Sequence, residues 1–569
     1  MVRSLARLAA ASLALSASAA AQVDVAWSDG FAPLDEPGRL ALDAAAGATG
    51  GAIVALGTMQ NDQLFVVEDL VIRRLDENGD RSWNFDVAFT LQNFTGLVTY
   101  EYFGGLAVDD DGDVAFGVMA ADAARIRVLD ASGALRWTRA FAPTTAPHAS
   151  VASLEFIDSG DVIAVLSEDE FLVGGSTRRN SILRLDGATG GTVWRVDLDA
   201  SRFPRVDVNA FDETAIVRTS GAGHVVERYD ALGGVVSSTP LTFPSGAWSP
   251  RSVDVDGAGR IVAVHLDEGF NFRSAITSVD ANGAVEWTTI EPDFGPGDVL
   301  ANGDYVYPTQ LTDAPLRRVR RDGTALNSVP VPVPDSQLRR VAAMPDGGFL
   351  AFGLIGSGGP STGAFAARYD AAEQLAWQFD PTPGAFRYAF ANGIALDARG
   401  NVILANSLRG QQLEFAAART VKLVEGGDLG AGYCAPAIPN STGAPASART
   451  AGSDVVASNN LTLLFGDLPP GSALLALASR TTGLVPNAGG SQGTLCLGGS
   501  IGRYAGPGQV RRADAAGSAS LQLDLGTLPT PTGLVPAVVG ETWSFQAWYR
   551  DANPQPTSNF TSATSVTMR

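Results

Sequence analysis

Between about residue 38 and residue 430 the chain alternates short apolar runs with tight polar turns, a pattern of many short strands rather than long amphipathic helices. Two signatures take turns along it. One reads GLAVDDDGDVAFG at 105–117 and recurs as SLEFIDSGDVIAV at 153–165, SVDVDGAGRIVAV at 252–264, VAAMPDGGFLAFG at 341–353 and GIALDARGNVILA at 393–405. The other reads LRLDGATGGTVW at 183–194, with copies ending at Trp83, Trp137, Trp287 and Trp377. Weaker copies run through Asp230 and Arg320, where Ser237 and Asn327 replace the tryptophan. Each signature predicts one hairpin, and a pair predicts four strands, the unit of a propeller blade.

The second signature explains itself residue by residue. An Asp followed by a Gly about three positions on, between apolar runs, is hairpin chemistry: the carboxylate accepts from backbone N–H groups ahead of it, and Gly accepts a positive φ. The Trp falls seven residues after the Asp in Asp76/Trp83, Asp130/Trp137, Asp280/Trp287 and Asp370/Trp377, and eight after it in Asp186/Trp194, whose turn is one residue longer. A large ring repeated in register is read as a packing element between or within blades, with stacking on a ligand as the other reading.

The Asp-like positions 76, 130, 186, 230, 280, 320, 370 and 425 lie 40 to 56 residues apart, the length of a four-stranded blade. The expected fold is therefore all-β, an eight-bladed β-propeller over residues 22–430, seven-bladed if one degenerate copy is not a full blade. The last repeat reaches VKLVEGGDLGAG at 421–432 without a Trp, whereas VDVAWSDGF at 23–31 places Trp27 and Phe31 at the spacing of Trp137 and Phe141. The N-terminal strand is expected to complete the last blade and remove two exposed sheet edges.

From 431 to 569 the grammar changes. Pro, Gly and Ser turns separate LTLLF, ALLALAS, GTLCLGG, ASLQLDL and ETWSFQAWYRD, and in the last of these Trp543, Phe545, Ala547 and Tyr549 share one face by period two. A small antiparallel β-sandwich is expected, with this segment as a half-buried strand. Cys434 and Cys496, the two cysteines of the chain, fall inside it and are expected to form a disulfide.

Composition sharpens the setting. Sixty Asp+Glu against 40 Lys+Arg give a net charge of −20, which argues against nucleic acid and anionic lipid as partners. Residues 1–21 carry Arg3 and Arg7, a short apolar run and Ala19-Ala20-Ala21, the layout of a secretory signal peptide, so the mature chain is expected to begin at Gln22 outside the cytoplasm, extracellular or periplasmic. No later apolar run is long enough for a transmembrane segment.

The grammar best kept in LDGATGGTVW at 185–194 resembles the repeat of pyrroloquinoline-quinone-type propellers, the quinoprotein alcohol dehydrogenase-like family. That resemblance implies a propeller but not a reaction, because the family holds enzymes and non-catalytic scaffolds alike. Its dehydrogenases hold the quinone with Ca²⁺, an acidic base and often adjacent bonded cysteines; here the propeller has no cysteine, and no calcium-ligand set or catalytic Asp maps onto a motif. The segments YCAPAIPNSTGAPA (433–446), GGSQGTLCLGGSIGRY (489–504) and ETWSFQAWYRDANPQPTSNFT (541–561) look like a C-terminal domain that recurs in secreted proteins of environmental bacteria, a family that implies no activity.

Four constellations remain. The run Asp109-Asp110-Asp111-Gly112-Asp113 reads as a Ca²⁺ site or a solvated turn, and its spacing lacks the alternation of a calcium loop. Arg74, Arg184, Arg228, Arg318 and Arg368 stand two residues before the Asp position, either lining a channel or pairing with the next blade. His148, His224 and His265 show no ligand spacing and are expected as surface or hydrogen-bonded groups, and Lys422 is the one lysine, the single Schiff-base candidate. No catalytic, cofactor or metal residue is assigned. The expected function is a secreted, non-catalytic, surface-associated propeller binding a protein or glycan, with a propeller enzyme, quinone-dependent or polysaccharide-active, as the alternative.

Overall fold

The apolar runs fold as strands joined by hairpins throughout the computed structural model. It describes the strands and tight turns between residues 23 and 425 and all of 429–569. Residues 1–22, with the expected export signal, lie outside the described residues, as do connecting stretches such as 30–38, 88–102 and 380–387. Consecutive strands pair antiparallel into four-stranded sheets at 39–87, 103–141, 148–198, 205–241, 248–292 and 336–379, and into a three-stranded sheet at 298–319. Strands Tyr388–Leu396, Val402–Arg409 and Phe415–Glu425 form the last sheet, whose fourth strand is Val23–Asp29 from the far end of the chain. That strand runs antiparallel to Phe415–Glu425, from Val23 opposite Glu425 to Asp29 opposite Thr420.

The first strand of each sheet touches the first strand of the next, from Arg39–Ala46 onward to Tyr388–Leu396, which touches Arg39–Ala46 again. Every sheet is thus covered on both faces by neighbours. This is why the second strands read as unbroken apolar runs: 52–56, 261–264, 349–352 and 402–405 are buried at every position. The sheet at 298–319 stops at three strands. Beyond it an isolated bridge joins Val319 to Ala325, with Leu326 N donating to Arg318 O and Val329 N to Leu316 O at 2.9 Å each.

Residues 429–569 carry two further principal sheets. The larger orders Ala431–Tyr433, Pro556–Thr567, Thr542–Ala552, Ala473–Ser479 and Gly502–Arg503; the smaller orders Ser447–Gly452, Leu461–Gly466 and Ala519–Leu523. Both supply one apolar core, with Leu463, Phe465 and Leu521 from the smaller and Leu474, Trp543, Phe545 and Tyr549 from the larger. The strand Thr542–Ala552 departs from the half-buried expectation, because Ser544 and Gln546 on its other face are buried too. The hairpin Thr481–Pro486/Thr494–Gly498 contacts that face: Gln546 Oε1 accepts from the Cys496 N–H at 2.9 Å, and its Nε2 donates to the Thr494 carbonyl at 2.9 Å.

Cys434 and Cys496 are joined by a disulfide that ties the chain after Ala431–Tyr433 to this hairpin. It closes a loop with a sequence separation of 62, so replacing both cysteines by serine is expected to cost about 2–5 kcal/mol, read as a lower denaturant midpoint with a higher m-value, because the unlinked denatured chain exposes more surface.

Candidate functional site

Apart from the longer turn at Asp186, the Asp-Gly turns are built the same way. At the first, Asp76 N donates to Asp80 O at 2.9 Å, Gly79 N donates to Asp76 O at 3.0 Å, and the Asp76 carboxylate accepts from the N–H groups of Asn78 and Asp80. Asp130, Asp230, Asp280 and Asp370 accept from the second and fourth residues after them in the same pattern. Where the Gly is missing, Glu373 takes its place at φ 62°.

These turns then serve the preceding sheet. Trp83 Nε1 donates to Ala131 O at 3.1 Å, Trp137 to Gly187 O at 2.8 Å, Trp194 to Ala231 O at 3.2 Å and Trp287 to Arg321 O at 2.7 Å; every acceptor is the residue after the next turn's Asp position. The indole lies flat on that turn. A Cβ at Gly133, Gly190, Gly233 or Gly323 would fall 2.5 to 2.8 Å from the ring, so the glycines are required by the neighbour as well as by their positive φ. At the sheet where Ser237 replaces the Trp, Thr239 Oγ1 still reaches Gly283 O at 2.6 Å, as Thr289 Oγ1 reaches Gly323 O at 2.8 Å beside Trp287.

The arginines bind the same turns. Arg74, Arg184 and Arg228 donate to the carbonyls of Ala131, Ala231 and Ala281 at 2.6, 3.0 and 2.6 Å. Arg318 pairs with Glu373 of the following sheet and Asp304 of its own, and Arg368 with Asp346. Trp377 is buried in a core shared with the last sheet. The acidic run is likewise engaged: Asp109 accepts from the Asp113 N–H at 2.8 Å, and Asp113 pairs with Arg136 at 2.5 Å and accepts from Ala131 N.

A different set of carboxylates stands on the first strands. Glu155, Asp207, Asp254 and Asp298 hold equivalent positions in four consecutive sheets, where the remaining copies have Ala45, Ala107, Ala342 and Ala395. Asp207 Oδ2 accepts from Val255 N at 2.7 Å, and Asp298 Oδ2 from Ala343 N at 2.8 Å, each reaching the residue after the matching position of the next sheet. Asp254 would find Val299 N by that rule, but Val299 N donates to Asp298 Oδ1 at 2.8 Å. Asp254 Oδ2 is left buried without a hydrogen-bond partner. Burial first, then the charges of Asp298 and Asp207, push the Asp254 carboxyl well above the usual carboxylate range, and burial raises Asp298 as well. Beside them Tyr305 Oη accepts from Gly297 N at 2.9 Å and lies 3.4 Å from Ser252 Oγ.

A carboxyl with a raised folded-state pKa contributes full stability below its unfolded pKa and loses that contribution as pH rises through the folded value. Asp254→Asn is therefore expected to melt at a higher temperature than the parent at about pH 7, with the gap closing below about pH 4. An unchanged melting temperature at both pH values would mean that Asp254 is solvated like an ordinary carboxylate.

Two single residues depart from expectation. His265 is fully buried in an apolar strand with no hydrogen-bond partner for either ring nitrogen, its ring 4.8 Å from that of His224 and 4.6 Å from Phe243. Burial holds both imidazoles below the usual histidine range, so they are neutral partners in a packed cluster rather than surface groups. The side chain of His148 lies outside the described residues. Lys422 is 1% exposed, with Nζ 2.9 Å from Asp397 Oδ2 and 3.1 Å from Gln522 Oε1, enclosed where the two parts of the chain meet.

Sequence reasoning found the turn residues because their chemistry is local. It passed over Asp254 and its neighbours, although a charge where sister repeats carry Ala was a readable signal.

The family model described as outer membrane protein assembly factor BamB matches residues 122–289, the stretch that holds the best-kept turns and latches. The repeats form a ring of antiparallel sheets, a β-propeller, and the family match falls within it. None of the curated proteins matches the chain. Among solved structures, the chain is similar to Sqt1 from Chaetomium thermophilum, at 13% identity over 70% of this chain and 99% of that one, with a TM-score of 0.44. It is also similar to the β-propeller domain of the Trilobed protease from Pyrococcus furiosus, which has an open velcro topology, at 13% identity over 61% of this chain and 100% of that one, with a TM-score of 0.36. A prolyl endopeptidase follows at 14% identity over 65% of this chain and 55% of that one, with a TM-score of 0.37. Among the described residues of the propeller and the C-terminal part, no helix is long and apolar enough to cross a membrane.

Proposed function

We propose that the chain is a secreted, non-catalytic binding protein: an eight-bladed propeller over residues 22–430 that recognises a protein or a glycan, followed by a β-sandwich over 431–569 of the kind appended to other exported bacterial proteins. The observation that carries this reading is where the chemistry of the repeats goes. The Asp, Arg and Trp side chains of successive repeats are spent on the turns of their own and the next sheet, which makes a rigid ring whose connecting loops are left for recognition. A match to a protein described as an assembly factor supports a protein as the bound partner. Residues 1–21 direct export, and N-terminal sequencing of the mature protein should begin at Gln22.

A second reading is kept by one observation, the carboxylates of Asp207, Asp254 and Asp298 beside Tyr305, since a raised carboxyl in an enclosed place is what acid catalysis requires. One experiment separates the two. The purified protein is probed on a glycan array and against extracellular proteins, and in parallel assayed for polysaccharide cleavage and for dye reduction by alcohols with added quinone and Ca²⁺. Saturable binding that persists in Asp254→Asn supports the binding reading. Turnover that Asp254→Asn abolishes overturns it.

A further inference from the structure

The ring has one seam, the place where its ends meet. On one side stands the sheet at 39–87, on the other the sheet at 388–425, completed by Val23–Asp29. The part of the chain that follows the propeller settles on this seam. Asn78 in the turn of the first sheet accepts at Oδ1 from Gln522 N at 3.0 Å, and its carbonyl accepts from Arg511 at 2.9 Å, while Arg511 also pairs with Asp80. From the last sheet, Lys422 donates to Gln522 Oε1 at 3.1 Å, Asn401 and Asn460 exchange side-chain amide bonds at 3.1 Å, and Asn460 reaches Arg399 O at 3.3 Å. Gln522 Nε2 donates to Asn460 Oδ1 of its own part of the chain at 3.3 Å, so Gln522 meets the first sheet through its backbone N–H and the last sheet through its side chain.

The apolar contacts repeat the arrangement. Ala26 of the N-terminal strand, Val54 and Val71 of the first sheet and Ile403 and Val424 of the last sheet share one cluster with Ala451 and Leu464. Strand Ala519–Leu523 also touches Val23–Asp29 directly. Three separate pieces of chain, the N-terminal strand and the sheets on either side of the seam, are therefore bridged by a fourth.

We infer that residues 429–569 are an intramolecular clasp that holds the propeller shut, a second lock placed over the strand exchange that closes the ring. The contacts sit on the seam, and a mere appended module would need only one sheet to rest on. A strand borrowed from the chain terminus is held by one ladder alone, and its release would expose two sheet edges. The clasp couples that release to its own undocking: the borrowed strand leaves only after Gln522, Arg511 and the apolar contacts have let go.

The one lysine of the chain reports the event, because its amine is sealed under the clasp. Full-length Gln522→Ala/Arg511→Ala is treated with an amine-reactive ester, and modification at Lys422 is read by mass spectrometry. Hydrogen exchange is followed in parallel at 23–29 and at 542–552. The rate of Lys422 modification is expected to rise about tenfold or more over the parent, with exchange at 23–29 accelerated in step and exchange at 542–552 unchanged. Faster Lys422 modification with 23–29 as protected as in the parent would overturn the inference, since the unit would then undock without loosening the ring. Unchanged modification would overturn it too. Exchange at 542–552 guards against a variant whose C-terminal core has simply melted; in that case the milder Arg511→Lys is read instead, and the same two outcomes decide.

Discussion

Replacing Trp137 by alanine is expected to lower stability by about 3–5 kcal/mol, the cost of emptying a large aromatic site in a packed interior. Trp137 is 8% exposed and its ring rests on Gly190, against which the turn is shaped so tightly that a Cβ would fall 2.7 Å from the ring. Alanine would leave a slot the size of an indole between two sheets and would orphan the Gly187 carbonyl, which accepts the indole N–H at 2.8 Å. Urea unfolding measures the effect. Phenylalanine at the same position should recover part of the loss, because it returns one of the two fused rings but not the second ring or the N–H; a phenylalanine variant as weak as alanine would mean that the hydrogen bond, rather than the ring, holds the sheets together. The matching change in the partner, Gly190→Ala, is expected to destabilise through both strain at φ 70° and collision with Trp137.

Lys422→Met is expected to have an effect of similar size, about 3–5 kcal/mol, because it leaves a buried carboxylate without its counter-charge. Asp397 is fully enclosed at its side chain, and besides Lys422 it accepts from the N–H groups of Arg399 and Asn401 and from the Asn401 amide. Burial lowers the proton affinity of Lys422 and Asp397 restores part of it, so each group is tolerated there only because of the other. The double variant Lys422→Met/Asp397→Asn removes both charges and should recover a large part of the loss in a thermodynamic cycle. If the two single losses simply add, the pair is not coupled and the assignment of Lys422 to that carboxylate fails.

The contrast between these two residues shows what the sequence carried. Asp130, Gly133 and Trp137 could be read because turn chemistry acts over a few residues and recurs, so each copy corroborates the next. The strand Val23–Asp29 could be placed for a related reason: the last repeat lacks a piece, and the other end of the chain holds an apolar run with its spacing. Lys422 gave no such signal, since its partner Gln522 lies 100 residues away in a part of the chain with a different pattern. Asp254 was hidden more deeply. A charge among alanines marks the position, but its lack of a partner depends on Val299 N turning to Asp298, which is a contest between two acceptors settled only in three dimensions. The covered outer face of Thr542–Ala552 was illegible as well, because Ser544 and Gln546 look like solvent-facing residues until the hairpin that buries them is in place.

The pairing of Val23 with Glu425 also sets an order of events during synthesis. The segment that finishes the last sheet leaves the ribosome roughly 400 residues before its partner, a wait on the order of 20 to 80 s at ordinary elongation rates. Through that interval every sheet can form from its own neighbours, yet the nascent chain must keep one apolar ribbon uncommitted and away from the wrong edges. Holdase chaperones, or passage across a membrane in an unfolded state, would meet that requirement directly, and completion of the ring is paced by when residues 415–425 arrive.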